Sequence, residues 1–164
     1  MKGTAATAPV LILTWGNPSR GDDALGPALF EMLEKHKRES DDLDHVDLYT
    51  DFQLQIEHAV DLENRKYVLF VDASVSCAEP FEMQSLEARR DDTFTTHAMS
   101  PASVLAVFKQ IHDREPPPAY LLTIRAYEFG LGRQMSAQAE TNLQKAYRHI
   151  IGNAAPEFAN ILNY

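Results

Sequence analysis

The sequence predicts an α/β fold in three layers, in which a twisted, mainly parallel sheet of about five strands carries helices on both faces. Apolar, strand-like runs alternate along the chain with stretches of helical periodicity, which is typical of right-handed β-α-β crossovers. Two runs, "YVLFVDA" (67–73) and "AYLLTIRA" (119–126), are almost continuously apolar, as strands covered on both faces are. No repeat or long linker interrupts the alternation, so residues 1–164 are expected to form a single domain.

Three further segments are predicted as strands. The run "VLILTW" (10–15) leads directly into a glycine turn and has no small-residue cleavage site behind it. It is therefore predicted as the first strand rather than as a signal peptide. The segment "VDLYT" (46–50) is predicted as the second strand. The segment "FEMQSLE" (81–87) alternates between apolar and polar residues, which indicates a half-exposed or edge strand.

The segments between the strands have the periodicity of amphipathic helices. The third of these helices begins with Ser100 as N-cap and Pro101 in its first turn, and the three prolines at 116–118 end it. The second, "QIEHAVDLENR", can form only a short helix. The predicted helices cover about residues 24–39, 55–65, 101–115 and 136–151.

Charge and composition exclude several classes of function. The net charge is −9, from 15 basic and 24 acidic residues, so the surface repels phosphate backbones and anionic membranes. Neither nucleic acid nor a membrane is therefore expected as a partner, and no apolar run approaches the ~20 residues that span a bilayer. The one cysteine, Cys77, is consistent with a reducing cytoplasm and is predicted to be a packed side chain, not a nucleophile. The expected location is the cytoplasm.

Three connections of the predicted fold carry groups that can bind a metal or move a proton. Asp22 and Asp23 follow the first strand, Asp72 ends the third strand, and His97 precedes the third helix. The carboxyl ends of parallel strands form the ligand-binding edge of such sheets, so these groups are expected to converge there. Carboxylates with an imidazole suit zinc or another divalent ion. Alternatively, one carboxylate beside another has a raised pKa and acts as a general acid or base.

Each of these residues also has an ordinary structural role open to it. An aspartate at a helix start caps the helix, and an aspartate at a strand end forms an Asx turn. A lone histidine is more often an ordinary side chain, and the histidines other than His97 are assigned no chemistry. A nucleotide site at the glycine-rich turn is improbable, because the turn has neither a P-loop Lys-Ser/Thr pair nor a G-x-G-x-x-G spacing.

The stretch "GNPSRGDDALG" (16–26) resembles the first signature of the hydrogenase maturation proteases, endopeptidases that trim the C-terminal tail of the nickel-iron hydrogenase large-subunit precursor. The resemblance continues in order through "QLQIEHAVDL", "VLFVDA", "THAMSP" and "YEFGLG", and so spans nearly the whole chain. It implies one hydrogenase maturation protease-like domain over residues 1–164. Thr14, Ala24 and Ile56 stand where the family usually has glycine, glycine and proline, and none of the three is a predicted ligand.

The resemblance also implies roles for individual residues. The residues implied as both catalytic and metal-binding are Asp23, Asp72 and His97. Those implied to shape or support the cleft are Gly16, Asn17, Asp22 and Glu57. Asp22 is expected to cap the helix while Asp23 faces the cleft. An apolar cleft lining is predicted from Trp15, Phe52, Met99 and Phe129.

The function implied by the resemblance is that of an aspartic-type endopeptidase. It would cut the nickel-iron hydrogenase large-subunit precursor after nickel insertion, with the nickel of the substrate, or a surrogate divalent ion, at the site as the recognition element. No tightly bound cofactor and no partner beyond the precursor are expected, and the chain is expected to be a monomer. The alternative is a non-catalytic, nickel-dependent docking or checkpoint module that binds the precursor without cutting it.

Overall fold

The computed structural model of the chain describes residues 6–90 and 99–153. The strands of these residues are β1 (Val10–Trp15), β2 (Val46–Asp51), β3 (Tyr67–Ser74), β4 (Phe81–Leu86) and β5 (Ala119–Arg125). They form one sheet in the order β2-β1-β3-β5-β4. The first four strands in that order are parallel, and β4 pairs antiparallel with β5. The predicted, mainly parallel sheet is confirmed.

The helices of the described residues cover both faces of this sheet. They are α1 (Leu25–Glu39), α2 (His58–Asp61), α3 (Pro101–His112) and α4 (Ala137–Gly152), and a single 3-10 turn (Gly21–Ala24) precedes α1. On one face, α1 and α4 pack around a core that includes Leu29 and Leu143. On the other, α2 and α3 pack around a second core that includes Leu62 and Phe108. The three-layer α/β fold is therefore confirmed, and no helix in the described ranges is long and apolar enough to cross a bilayer.

Burial explains the sequence pattern of the strands. All six residues of β1 are buried, because the strand lies inside the sheet with helices on both faces. The outer strand β4 buries Phe81 and Met83 and exposes Glu82 and Gln84, so its alternation is that of the predicted edge strand.

The third helix ends earlier than predicted, at His112 rather than at about 115, because Asp113 adopts the left-handed conformation. The second helix is the single turn α2, so the short helix predicted within residues 55–65 is confirmed, and Asn64, with a φ of +62°, ends the helical stretch. The predicted start of the third helix is confirmed, since the Ser100 side chain accepts a hydrogen bond from the Ser103 N–H at 3.1 Å.

Candidate functional site

The carboxyl ends of the neighbouring strands β1 and β3 lie at the point of the sheet where the chain connections pass to opposite faces. The chain leaves β1 through α1 on one face, and it leaves β2 through α2 on the opposite face before it returns to β3. In open parallel sheets such a switch point forms the crevice in which ligands bind. Asp23 follows β1, and Asp72 lies near the end of the neighbouring strand β3. The fold therefore places these two carboxylates at its natural binding site.

Two glycines fix the turn that carries Asp23. Gly16 has a φ of +148°, and a Cβ atom there would lie 2.0 Å from the Asp23 carbonyl oxygen. At Gly26, a Cβ atom would lie 2.3 Å from the Trp15 carbonyl oxygen. Only glycine lets the chain close this tightly over the end of β1. The Asn17 N–H then donates to Asp23 Oδ2 at 2.9 Å, which holds the half-buried carboxylate beside the strand end.

The Asp72 carboxyl group has an unusual protonation equilibrium. Burial is the main cause that raises its pKa to about 7, and the neighbouring Asp23 carboxylate raises it further. The Ala73 N–H, which donates to Asp72 Oδ1 at 2.8 Å, and the Trp15 indole act in the opposite direction. Asp72 therefore exchanges a proton near neutral pH, as a general acid or base must.

Replacing Asp72 by asparagine is expected to make the stability of the metal-free protein less dependent on pH. The native pKa of about 7 lies above the ordinary 3.8, so the native state of the parent is favoured below pH 4 and loses that advantage as the pH rises through 7. Relative to the parent, the variant should gain about 4 kcal/mol of stability between pH 4 and pH 8, because a shift of about three pKa units corresponds to about 4 kcal/mol. Urea unfolding at both values, with a chelator present, measures this change. A constant difference would contradict the raised pKa.

The third predicted ligand, His97, lies outside the described residues. The next described residue along the chain, Met99, donates its N–H to the Leu54 carbonyl oxygen at 3.4 Å, beyond the carboxyl end of β2. Within residues 6–90 and 99–153, no group of three or more His, Cys, Asp or Glu side chains is arranged to hold a metal ion. The convergence of Asp23, Asp72 and His97 at one point stays a prediction.

Asp22 has a role that differs from the predicted one. It provides no capping hydrogen bond to α1 or to the 3-10 turn, and it is fully buried, so it cannot line a cleft. Its carboxylate instead accepts hydrogen bonds from the N–H groups of Tyr127, Glu128 and Ser136, at 2.8, 3.1 and 2.7 Å. It also accepts one from the Ser136 hydroxyl at 2.9 Å. Asp22 therefore joins the turn after β1 to the segment between β5 and α4.

The other residues predicted to line or support the cleft differ in exposure, from buried to exposed. Glu57 is exposed and provides no capping bond to α2, and its supporting role stays a prediction. Trp15 is buried, with its ring edge-on to Phe70 at 6.2 Å. The side chains of Met99 and Phe129 are partly buried against the two cores, whereas that of Phe52 is exposed.

A histidine-carboxylate pair beside the site was not predicted from the sequence. His58 Nε2 lies 3.2 Å from Asp51 Oδ2, and His58 Nδ1 accepts the Gln55 N–H at 2.8 Å. Because Nδ1 is an acceptor, the proton of the neutral ring is on Nε2 and points to Asp51. The Asp51 carbonyl oxygen in turn accepts the Gly16 N–H at 3.1 Å. The only local signal was a carboxylate at a strand end with a histidine seven residues later.

Comparisons with known proteins connect this fold to a group of proteases. The chain is similar in structure to a Hydrogenase 3 maturation protease, with a TM-score of 0.69 and 19% identity over 94% of this chain and 96% of the other. It is also similar to the [NiFe] hydrogenase maturation protease HycI from Thermococcus kodakarensis, with a TM-score of 0.65 and 19% identity over 98% and 96% of the two chains.

The hydrogenase maturating endopeptidase HybD from E. coli has a TM-score of 0.64 and 20% identity over 86% of this chain and 88% of its own. The sequence matches no protein-family model and no curated protein. At these identities the comparisons establish that the chain has the fold of the hydrogenase maturation proteases.

Proposed function

We propose that this chain is an endopeptidase that removes the C-terminal extension of a nickel-iron hydrogenase large-subunit precursor after nickel insertion. The observation that carries the proposal is the pair of carboxylates, Asp23 and Asp72, at the switch point of the sheet, where Asp72 has a pKa of about 7. The sequence signatures that resemble the family, and the fold shared with named maturation proteases, support the choice of substrate in this proposal.

In the proposed reaction the nickel of the substrate is the recognition element. Two carboxylates and an imidazole are suitable ligands for a divalent ion of this type, so Asp23, Asp72 and His97 would contact it. His97 is separated by one residue from Met99, whose backbone is fixed beside Leu54. In this proposal nickel enters with the precursor, and the chain itself needs no tightly bound metal. We further propose that it acts as a monomer in the cytoplasm.

Hydrolysis of the peptide bond requires a group that moves protons at neutral pH. A carboxylate accepts a proton from the attacking water, and the leaving amine must receive one when the bond breaks. Without nickel Asp72 can do both near pH 7, because its pKa lies close to that value. Direct contact with nickel would lower that pKa, so Asp72 acts either as the group that moves protons or as a nickel ligand. Asp23 acts either as the base that activates water or as a nickel ligand.

The purified chain is expected to shorten a nickel-loaded large-subunit precursor. Mass spectrometry of the precursor after incubation would detect loss of its C-terminal extension, and precursor without nickel is the matched control. Cleavage that depends on nickel supports the proposal. A stable, uncut complex would instead assign the chain to the alternative, a docking or checkpoint module, and the absence of both cleavage and binding would reject both functions.

A further inference from the structure

Exposed apolar side chains are concentrated in one short stretch after β2. Phe52, Ile56 and Val60 expose 64%, 55% and 62% of their surface. Single exposed apolar residues are normal on soluble proteins, but three within nine residues are typical of an interaction site. We call Phe52, Ile56 and Val60 the β2–α2 patch.

The backbone that carries the β2–α2 patch is held firmly in place. The Asp51–His58 contact and the Gln55 N–H bond to His58 close the loop between β2 and α2. Leu54 is buried in the core beneath it, and its carbonyl oxygen accepts the Met99 N–H. The exposure of the patch therefore does not come from a loosely packed loop. An ordered apolar surface loses little conformational entropy when a partner binds.

The three patch residues lie close together along the chain. The Ala59 N–H donates to the Ile56 carbonyl oxygen and the Val60 N–H to that of Glu57, so the chain makes consecutive tight turns from Ile56 into α2. Phe52, Ile56 and Val60 are therefore exposed on one compact stretch of chain, within reach of one apolar segment of a partner.

The rim of the patch is acidic. Residues 51–63 contain Asp51, Glu57, Asp61 and Glu63, and neither lysine nor arginine. Asp51 is paired with His58, whereas Glu57 and Glu63 are exposed to solvent. An apolar surface with an acidic rim attracts a partner that combines apolar and basic side chains, and it repels phosphate and anionic lipid.

The patch adjoins the proposed active site through the backbone. Asp51, the last residue of β2, accepts the Gly16 N–H, and Gly16 begins the turn that carries Asp23. A peptide that lies over the patch would therefore continue towards the carboxylates.

We propose that the β2–α2 patch is the docking surface for a peptide segment of the precursor that carries apolar side chains together with lysine or arginine. This inference rests on the proposed function for the identity of the partner, and on exposure, rigidity and charge for the chemistry of the segment. The segment would lie next to the bond that is cut, and its binding would raise the local concentration of that bond at the site.

Variants of the patch are expected to weaken binding and leave the chemical step intact. Ile56→Ser and Phe52→Ser should each raise KM for the nickel-loaded precursor about tenfold, with kcat changed less than about twofold. Ile111→Ser is the matched control, because Ile111 is 58% exposed in the last turn of α3, which leads to the amino end of β5. Thermal melts identify any variant that fails to fold. If one of Ile56→Ser and Phe52→Ser does not fold, the other still tests the docking surface.

The acidic rim is tested separately. The double variant Glu57→Lys/Glu63→Lys should raise KM at low salt, and the rise should shrink as salt screens the charges. Glu39→Lys/Glu87→Lys makes the same change in charge at exposed positions outside the patch and should leave KM unaltered.

The outcomes separate the docking surface from the proposed function. If the chain does not cut the precursor but binds it, and the patch variants weaken that binding, the docking surface stands and the endopeptidase does not. If the patch variants cut with the parental KM, the docking surface is rejected while the endopeptidase stands. If sedimentation shows that the patch variants abolish self-association of the chain instead, the occupant is a second copy and the proposal is overturned.

Discussion

Replacing Asp22 by alanine is expected to lower the free energy of unfolding by about 3–5 kcal/mol, a large part of the stability of a domain of this size. The Asp22 carboxylate is fully buried and accepts four hydrogen bonds from Tyr127, Glu128 and Ser136. Alanine would leave three partly buried N–H groups without the Asp22 carboxylate as acceptor, and an unsatisfied group of this kind costs about 1–3 kcal/mol when water cannot reach it. A helix cap would cost only about 0.5–2 kcal/mol. Urea unfolding of parent and variant measures the difference.

The effect of Asp22 should also depend on pH in a defined direction. Burial raises the pKa of the Asp22 carboxyl, but the bonds from Ser136, Tyr127 and Glu128 outweigh burial and hold the pKa below its ordinary value of 3.8. The stabilisation is therefore complete above about pH 4 and is lost as the pH falls through the native pKa. The difference between parent and Asp22→Ala should be constant from about pH 5 to 8 and smaller in more acidic solution.

Two variants serve as controls for Asp22. Asp41→Ala removes an exposed aspartate and should change stability by less than about 0.5 kcal/mol. Ser136→Ala removes one of the four bonds to Asp22 together with the cap of α4. Its loss of stability should therefore be larger than that of Asp41→Ala and smaller than that of Asp22→Ala. If Asp22→Ala unfolds at the same urea concentration as Asp41→Ala, the buried carboxylate does not stabilise the fold.

The elements that could be predicted from the sequence are those whose residue pattern depends on nearby residues, or on whether one or both faces of a strand are buried. The continuously apolar β3, the alternating β4 and the Ser100 cap all depend on neighbours within a few residues or on the side of a layer. The short second helix was predicted correctly, but its apolar residues did not reveal which face is buried, since Ile56 and Val60 are exposed while Ala59 and Leu62 are buried.

The candidate site could be predicted only in part, because its remaining contacts are distant in sequence. The bonds from Asp22 to Tyr127 and Ser136 join residues 105 and 114 positions apart. Local sequence favours a cap at such a position, and the tertiary partners that replace it give no signal near Asp22. By contrast, the location of Asp23 and Asp72 at the carboxyl edge of the sheet could be predicted, because the parallel arrangement of β1 and β3 alone brings them there.

Replacing Asp23 by asparagine is expected to lower kcat/KM for the nickel-loaded precursor by about 100-fold or more, while the fold remains stable. Asparagine keeps an oxygen that can accept the Asn17 N–H, so the turn after β1 should be preserved. It removes a negative charge that disfavours ionisation of Asp72, so the pKa of Asp72 should fall and stability at neutral pH should be unchanged or slightly higher. A neutral amide is both a poor base and a weak ligand for a divalent ion.

Binding of the precursor distinguishes the two roles open to Asp23. If Asp23 activates water, Asp23→Asn should still bind nickel-loaded precursor with the parental affinity and only fail to cut it. If Asp23 is a nickel ligand, the preference for nickel-loaded over nickel-free precursor should be lost as well. Thermal melts, cleavage time courses and binding isotherms of parent and variant measure all three quantities. A variant that melts normally, binds normally and cuts at the parental rate would leave Asp23 with only its structural bond to Asn17, because a carboxylate that takes part in either step cannot be neutralised without a change in rate.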